Sequence, residues 1–143
     1  MKRLFLMISA VLCIMLCGCA STEKAAPANT DSTSTPAIYS QISTDEAVSL
    51  METEQDYIIL DVRTQEEYNA GHIPGAICIP NEEIGTSDIS ALPDKDQLIL
   101  VYCRSGRRSK EASEKLAELG YSNVKEFGGI IDWTGETVTG SGI

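Results

Sequence analysis

Short apolar runs alternate with amphipathic stretches between residues 38 and 136. Tyr57-Ile58-Ile59-Leu60 and Leu98-Ile99-Leu100-Val101-Tyr102 are continuous apolar runs. Such runs mark strands covered on both faces. Ala76 to Ile79 and Val124 to Phe127 read as two further short strands. Between them lie helix signals. Ser43 with Glu46 forms a capping box, followed by Ala47, Val48, Leu50 and Met51 on one face. Thr64 with Glu67 is a second capping box, opening a short helix that ends near Ala70-Gly71. From Ser109 to Leu119 the apolar positions Ala112, Leu116, Ala117 and Leu119 are helical, and Gly120 closes the helix. Ile130 to Trp133 reads as a short helical turn. Strands alternating with helices predict an α/β fold, a small and mostly parallel sheet with helices on both faces.

The flanks follow other rules. Lys2 and Arg3 precede Leu4 to Leu16, an apolar run broken only by Ser9. That run falls short of the about 20 residues a spanning helix needs. A charged start, a short apolar run and small residues make a secretory signal peptide over residues 1–18. Leu16-Cys17-Gly18-Cys19 resembles the lipobox of bacterial lipoproteins, which implies that Cys19 is lipidated and becomes the N-terminus. Residues 19–37, rich in Ser, Thr, Ala and Pro, read as a flexible linker. The expected location is extracytoplasmic, lipid-anchored to the cell membrane, or to the outer membrane where a cell has two. Residues 137–143 read as a frayed, disordered tail.

Processing changes the cysteine and charge counts. Of Cys13, Cys17, Cys19, Cys78 and Cys103, only the last two remain in the domain, too few for a disulfide framework. Removing Lys2 and Arg3 leaves 9 basic against 21 acidic side chains, a net charge of −12. Such a body repels nucleic acid, so no nucleic-acid partner is expected. Four of the remaining cations, Arg104, Arg107, Arg108 and Lys110, follow Cys103 directly.

That placement points to chemistry. In Val101-Tyr102-Cys103-Arg104-Ser105-Gly106-Arg107-Arg108-Ser109 a buried strand ends and a helix begins about six residues later. Sites in open α/β sheets form beyond the carboxyl ends of strands. Backbone N–H groups of such a loop cradle an anion, and Gly106 permits the bend. A thiol beside a helix start and several arginines is shifted towards thiolate.

The heptad Cys103-Arg104-Ser105-Gly106-Arg107-Arg108-Ser109 resembles the active-site loop of the rhodanese-like family. Asp61-Val62-Arg63 with Glu66-Glu67-Tyr68, Gly71-His72-Ile73-Pro74-Gly75-Ala76, and Phe127-Gly128-Gly129-Ile130 with Trp133 are similar to its other motifs, in order. The resemblance spans about residues 38 to 136. It implies the rhodanese-like three-layer fold and a sulfurtransferase. Cys103 would be the nucleophile that takes sulfane sulfur from a donor such as thiosulfate and passes it, as a persulfide, to cyanide or a thiol. The N–H groups from Arg104 to Ser109 would hold the anion. Arg104 and Arg107 would meet donor charge at the rim, and Arg108 matches the family's loop-closing arginine. Asp61, Arg63 and Glu67 are expected to brace the scaffold through charge pairs, and His72 to brace its turn. No cofactor and no metal are implied.

Three alternatives remain. Phosphatases and arsenate reductases with related loops have five residues between Cys and Arg; here Arg108 comes after four, which makes a smaller pocket. A persulfide carrier or a protein-binding module at the membrane surface is the non-turnover reading. Cys78 is either a small buried hydrophobe or a partner for Cys103. The oligomeric state, and the physiological donor and acceptor, are not legible.

Overall fold

The computed structural model describes residues 39–85 and 89–141. The segments read as signal peptide (residues 1–18) and linker (residues 19–37), with Cys19, lie outside the described residues. By its contacts the chain divides into Met1–Thr33 and Ser34–Ile143, and everything described belongs to the second unit. The elements run β1 (Tyr39–Gln41), α1 (Thr44–Thr53), β2 (Tyr57–Asp61), α2 (Gln65–Ala70), β3 (Ala76–Cys78), β4 (Leu98–Cys103), α3 (Arg107–Glu118) and β5 (Val124–Gly129). Single 3-10 turns occupy Asn81–Glu83 and Ile130–Asp132.

All strand pairs are parallel, in the order β1-β5-β4-β2-β3. β4 is therefore central, and every one of its residues is buried. Its side chains alternate strictly between two cores. Ile99, Val101 and Cys103 face α3, whose Ala112 and Leu116 cover them. Leu98, Leu100 and Tyr102 face the opposite layer with Ala47 of α1 and Tyr68 of α2. This explains the unbroken apolar runs: both faces of the strand are roofed, so neither tolerates polar residues. Each fully buried Leu or Ile adds about 1.5–3 kcal/mol to that packing.

Both capping boxes form. The Ser43 side chain accepts from Glu46 N–H while Glu46 reaches back to Ser43 N–H at 2.8 Å. Thr64 and Glu67 make the same reciprocal pair at the start of α2. The two boxes fix where α1 and α2 begin and hence where the chain re-enters the sheet.

One strand has no counterpart in the sequence pattern, and one expectation is revised. The edge strand β1 has no apolar signal and is held by parallel pairing to β5. The segment read as a frayed tail is tied down in part: Val138 exchanges two backbone hydrogen bonds with His72, both at 2.9 Å, and Gly140 N–H donates to the Asn69 carbonyl at 3.0 Å. Its Gly, Thr and Ser content carries no packing signal, because the bonds that hold it are backbone to backbone.

Candidate active site

Cys103 is the last residue of the central strand. Its side chain lies on the α3 face and is 1% exposed. The chain turns through Arg104 and Ser105 and enters α3 at Arg107, two residues earlier than the sequence pattern predicts. Gly106 makes this tight start available, since its φ of 95° is a left-handed conformation that only glycine adopts freely. α3 also differs from α1 and α2 at its start. Its N-cap, Gly106, offers no side-chain acceptor, and its first turn has no acidic residue. The free N–H groups of a helix start need partners, and here the thiol supplies one.

Gly106 N–H donates to Cys103 Sγ at 3.1 Å. The Ser109 hydroxyl and the N–H groups of Ser109 and Ser105 also bear on the sulfur. Burial by itself pushes the thiol pKa up. The hydrogen bonds outweigh it, so Cys103 lies below its ordinary value. The arrangement stabilises negative charge on sulfur, on a group transferred to it, or on an anion at the loop.

The back wall of this cradle is a β-bulge. Val101 pairs with Glu126, but Cys103 pairs with Gly129, so β5 spends one residue more than β4. A Cβ on Gly129 would overlap the Arg104 carbonyl and approach Ser105 Cα to 2.6 Å. The absence of a side chain at 129 lets the cysteine loop lie directly on β5. Glu126 is entirely buried there. Its Oε1 accepts from the Ser109 hydroxyl at 2.6 Å and from Gly128 N–H at 2.8 Å. Glu126 was missed by the sequence reading, although a signal existed: it shares strand parity with the core residue Val124.

The charged residues fall into distinct positions. Arg108 makes a two-pronged pair with Glu67, Nη1 to Oε2 at 2.7 Å and Nη2 to Oε1 at 2.9 Å. It thereby ties the start of α3 to the start of α2. That pair holds the Glu67 carboxyl at about 2, well below its ordinary 4.5, with help from Thr64 N–H. Arg107 lies at the rim and pairs with Glu111 of its own helix at 2.7 Å. Arg104, Ser105 and Lys110 are exposed around the loop.

The remaining predicted residues lie away from the sulfur. Asp61 and Arg63 form a buried pair with Nη2 2.6 Å from Oδ2, and the same nitrogen donates to the Gly71 carbonyl at 2.7 Å. His72 is buried, stacked on Tyr68 at 3.7 Å between ring centroids, with Nδ1 2.9 Å from the Tyr68 carbonyl. Cys78 belongs to the opposite core face from Cys103, on β3 rather than β4. Burial, and then the negative charge of Asp61, push its thiol up to about 11. Among the described residues no group of His, Cys, Asp and Glu is placed to hold a metal.

A parallel α/β sheet whose central strand ends on a cysteine, cradled by the uncapped start of the next helix, is an arrangement able to support thiolate-based group transfer. Comparison with known proteins gives the family. Residues 43–136 match the family described as Rhodanese-like domain. Thiosulfate sulfurtransferase PspE of Escherichia coli is 44% identical over 73 residues, 51% of this chain and 70% of that protein. The putative sulfur carrier protein YrkF of Bacillus subtilis is 36% identical over 88 residues, 61% of this chain and 46% of that protein. Among solved structures, a rhodanese with anions from E. coli aligns with a TM-score of 0.55 and 40% identity, covering 59% of this chain and 99% of that one. The chain belongs to the rhodanese-like domain family.

Proposed function

We propose that Cys103 is the nucleophile and sulfur carrier of a membrane-anchored sulfurtransferase that accepts sulfane sulfur from a small anionic donor. The enzyme class, a rhodanese-type sulfurtransferase, follows from the family and its relatives. The observation that carries the role of Cys103 is its buried sulfur, receiving the Gly106 N–H at 3.1 Å at the start of an uncapped helix.

With thiosulfate as donor, the Cys103 thiolate attacks the outer sulfur. The S–S bond of thiosulfate breaks, sulfite leaves with that electron pair, and Cys103 becomes a persulfide anion. A cyanide or thiolate acceptor then attacks the outer sulfur, the persulfide bond breaks, and the Cys103 thiolate returns. No proton need move between the anionic forms, so the site requires anion stabilisation more than a general base. The N–H groups at Ser105, Gly106 and Ser109 provide it, and Arg104 and Arg107 stand at the mouth to attract the donor on an otherwise acidic protein.

A phosphatase reading is disfavoured. Only Arg104, Ser105 and Gly106 separate Cys103 from α3, and the Arg108 guanidinium is engaged by Glu67. A carrier without turnover uses the same persulfide, and the likeness to a putative sulfur carrier protein supports it. The test is intact mass after incubation with thiosulfate. A gain of about 32 Da, one sulfur atom, removed by cyanide and absent in Cys103→Ser, is expected. Thiocyanate released over many cycles favours turnover, and a single equivalent favours the carrier. No adduct from thiosulfate, polysulfide or a thiol persulfide, with Cys103 reduced, would refute the sulfur-transfer role.

We also read residues 1–18 as a lipoprotein signal peptide, Cys19 as the lipidated residue, and residues 19–37 as the tether. Cys19→Ala should release the protein from the detergent phase on cloud-point partition. Retention there would sink the anchor.

A further inference from the structure

Glu126 lies on the α3 face of β5, fully buried, next to the bulge that backs Cys103. Its Oε2 has no hydrogen-bond partner among the described residues. A buried carboxylate oxygen without a donor is destabilising. Retained against a reactive thiol, it calls for a functional reason.

Ser109 links the two groups. Its hydroxyl has one proton, and it meets Glu126 Oε1 at 2.6 Å, the Gly106 carbonyl at 3.0 Å and the Gly128 carbonyl at 3.3 Å, while also favouring the Cys103 thiolate. One donor serves one strong acceptor at a time. The shortest of these contacts is the one to the carboxylate.

We propose that Glu126 is a positioning residue that sets the reactivity of Cys103 through Ser109, by competing with the thiolate for that hydroxyl's single proton. The use of this setting rests on Cys103 being the sulfur nucleophile; the linkage itself does not. Two effects run the same way. The carboxylate draws the Ser109 proton away from sulfur, and its charge on the same sheet face opposes a second negative charge there. Both make the thiolate scarcer and a stronger nucleophile once formed, because thiolate nucleophilicity rises with thiol pKa.

The neighbouring charges define the balance. Cys103 is faced by Arg108 of α3, whose charge acts on the thiol while it is held by Glu67 of α2. The N–H groups of Ser105, Gly106 and Ser109 complete that side. Glu126 is faced by Ser109 of α3 and by Tyr39 of β1, which also feels Glu114 of α3. Ser113, one turn beyond Ser109, has the other unpartnered buried side-chain oxygen among the described residues.

The test is the pH profile of iodoacetamide alkylation at Cys103, read by mass on the full-length chain. Wild type, Glu126→Gln, Ser109→Ala and the double variant are compared. Glu126→Gln should lower the midpoint by about one unit, a roughly tenfold rise in thiolate at a fixed pH below it. In the Ser109→Ala background the same change should move it less than half as far. An unchanged or raised midpoint in Glu126→Gln would overturn the proposal. An equal shift with and without Ser109 would overturn the route through the hydroxyl. Where Glu126→Gln fails to fold, Glu126→Met is read by the same criteria. Sulfur uptake, followed separately by mass gain, distinguishes the two ideas: uptake without a midpoint shift removes the linkage, and a shift without uptake removes the sulfur role.

Discussion

Glu67→Gln isolates the contact that locks the cysteine loop to the rest of the domain. The wild-type carboxylate receives both Arg108 nitrogens, at 2.7 and 2.9 Å, and caps α2 through Thr64 N–H at 3.3 Å. Its pKa falls from 4.5 to about 2, chiefly through the Arg108 hydrogen bonds. At 1.36 kcal/mol per unit, that shift has a ceiling of about 3.4 kcal/mol. The Glu67 side chain is 30% exposed, so solvent screening reduces the expected value to about 1.5 kcal/mol. Because the folded-state pKa is the lower one, this stability is fully present above pH 4.5. It is lost as pH falls towards 2, where both states are protonated. Glu67→Gln should therefore be less stable than wild type by about 1.5 kcal/mol at pH 7, or roughly 8 °C in Tm. The gap should close between pH 4.5 and about 2. Urea unfolding followed by far-ultraviolet circular dichroism, at several pH values and constant ionic strength, measures it. Equal midpoints at pH 7, or a difference that persists undiminished to pH 2, would refute the ion-pair account.

Four further outcomes follow from the same geometry. Gly129→Ala places a Cβ against the Arg104 carbonyl, and a loop displaced by about 1 Å should lower thiosulfate:cyanide turnover about a hundredfold; unaltered turnover would show that the loop does not need β5 at this distance. Iodoacetamide at pH 8 should modify Cys103 before Cys78, although Cys78 is the more exposed thiol, because one pKa is lowered and the other raised to about 11. Mild oxidation should form no Cys78–Cys103 bridge, since β2 separates their strands by about 10 Å and they face opposite cores; peptide mapping that found the bridge would contradict this topology. Asp61→Ala leaves the Arg63 guanidinium buried and unpaired and should cost about 3–5 kcal/mol, with Asp61→Ala/Arg63→Met recovering a large part in urea unfolding; a double variant no better than the single one would assign Asp61 another role.

The parts of the fold legible in the sequence are those set by local rules. The central strand needs apolar residues on both faces, so Leu98 to Tyr102 announces itself. Ser43–Glu46 and Thr64–Glu67 each complete a bonding pattern within four residues, so α1 and α2 can be placed from composition alone. β1 is three residues long and mostly exposed, and its partner on β5 lies more than eighty positions away. No window of sequence contains that pairing. The segment around Val138 escapes for the same reason, because its partner is the backbone of His72.

The site shows a different kind of departure. α3 lacks the side-chain cap that α1 and α2 both have, Gly106 takes a left-handed conformation, β5 carries a bulge, and Glu126 places a carboxylate on a buried face. Each breaks a rule that the rest of the domain obeys, and all four surround one sulfur atom. An ordinary capping residue at 106 would offer its own acceptor to the Ser109 N–H that now bears on Cys103. A regular β5 would lose the register that brings Gly129 under Arg104 and Glu126 beside Ser109. Departures of this kind gather where a fold serves a site rather than its own regularity: the uncapped start of α3 leaves a donor on the thiol, the bulge and Gly129 seat the loop, and Glu126 sets a buried carboxylate beside Ser109. The cysteine loop was readable because its residues are contiguous. Its back wall was not, because Glu126 acquires meaning only when the fold sets β5 against the start of α3.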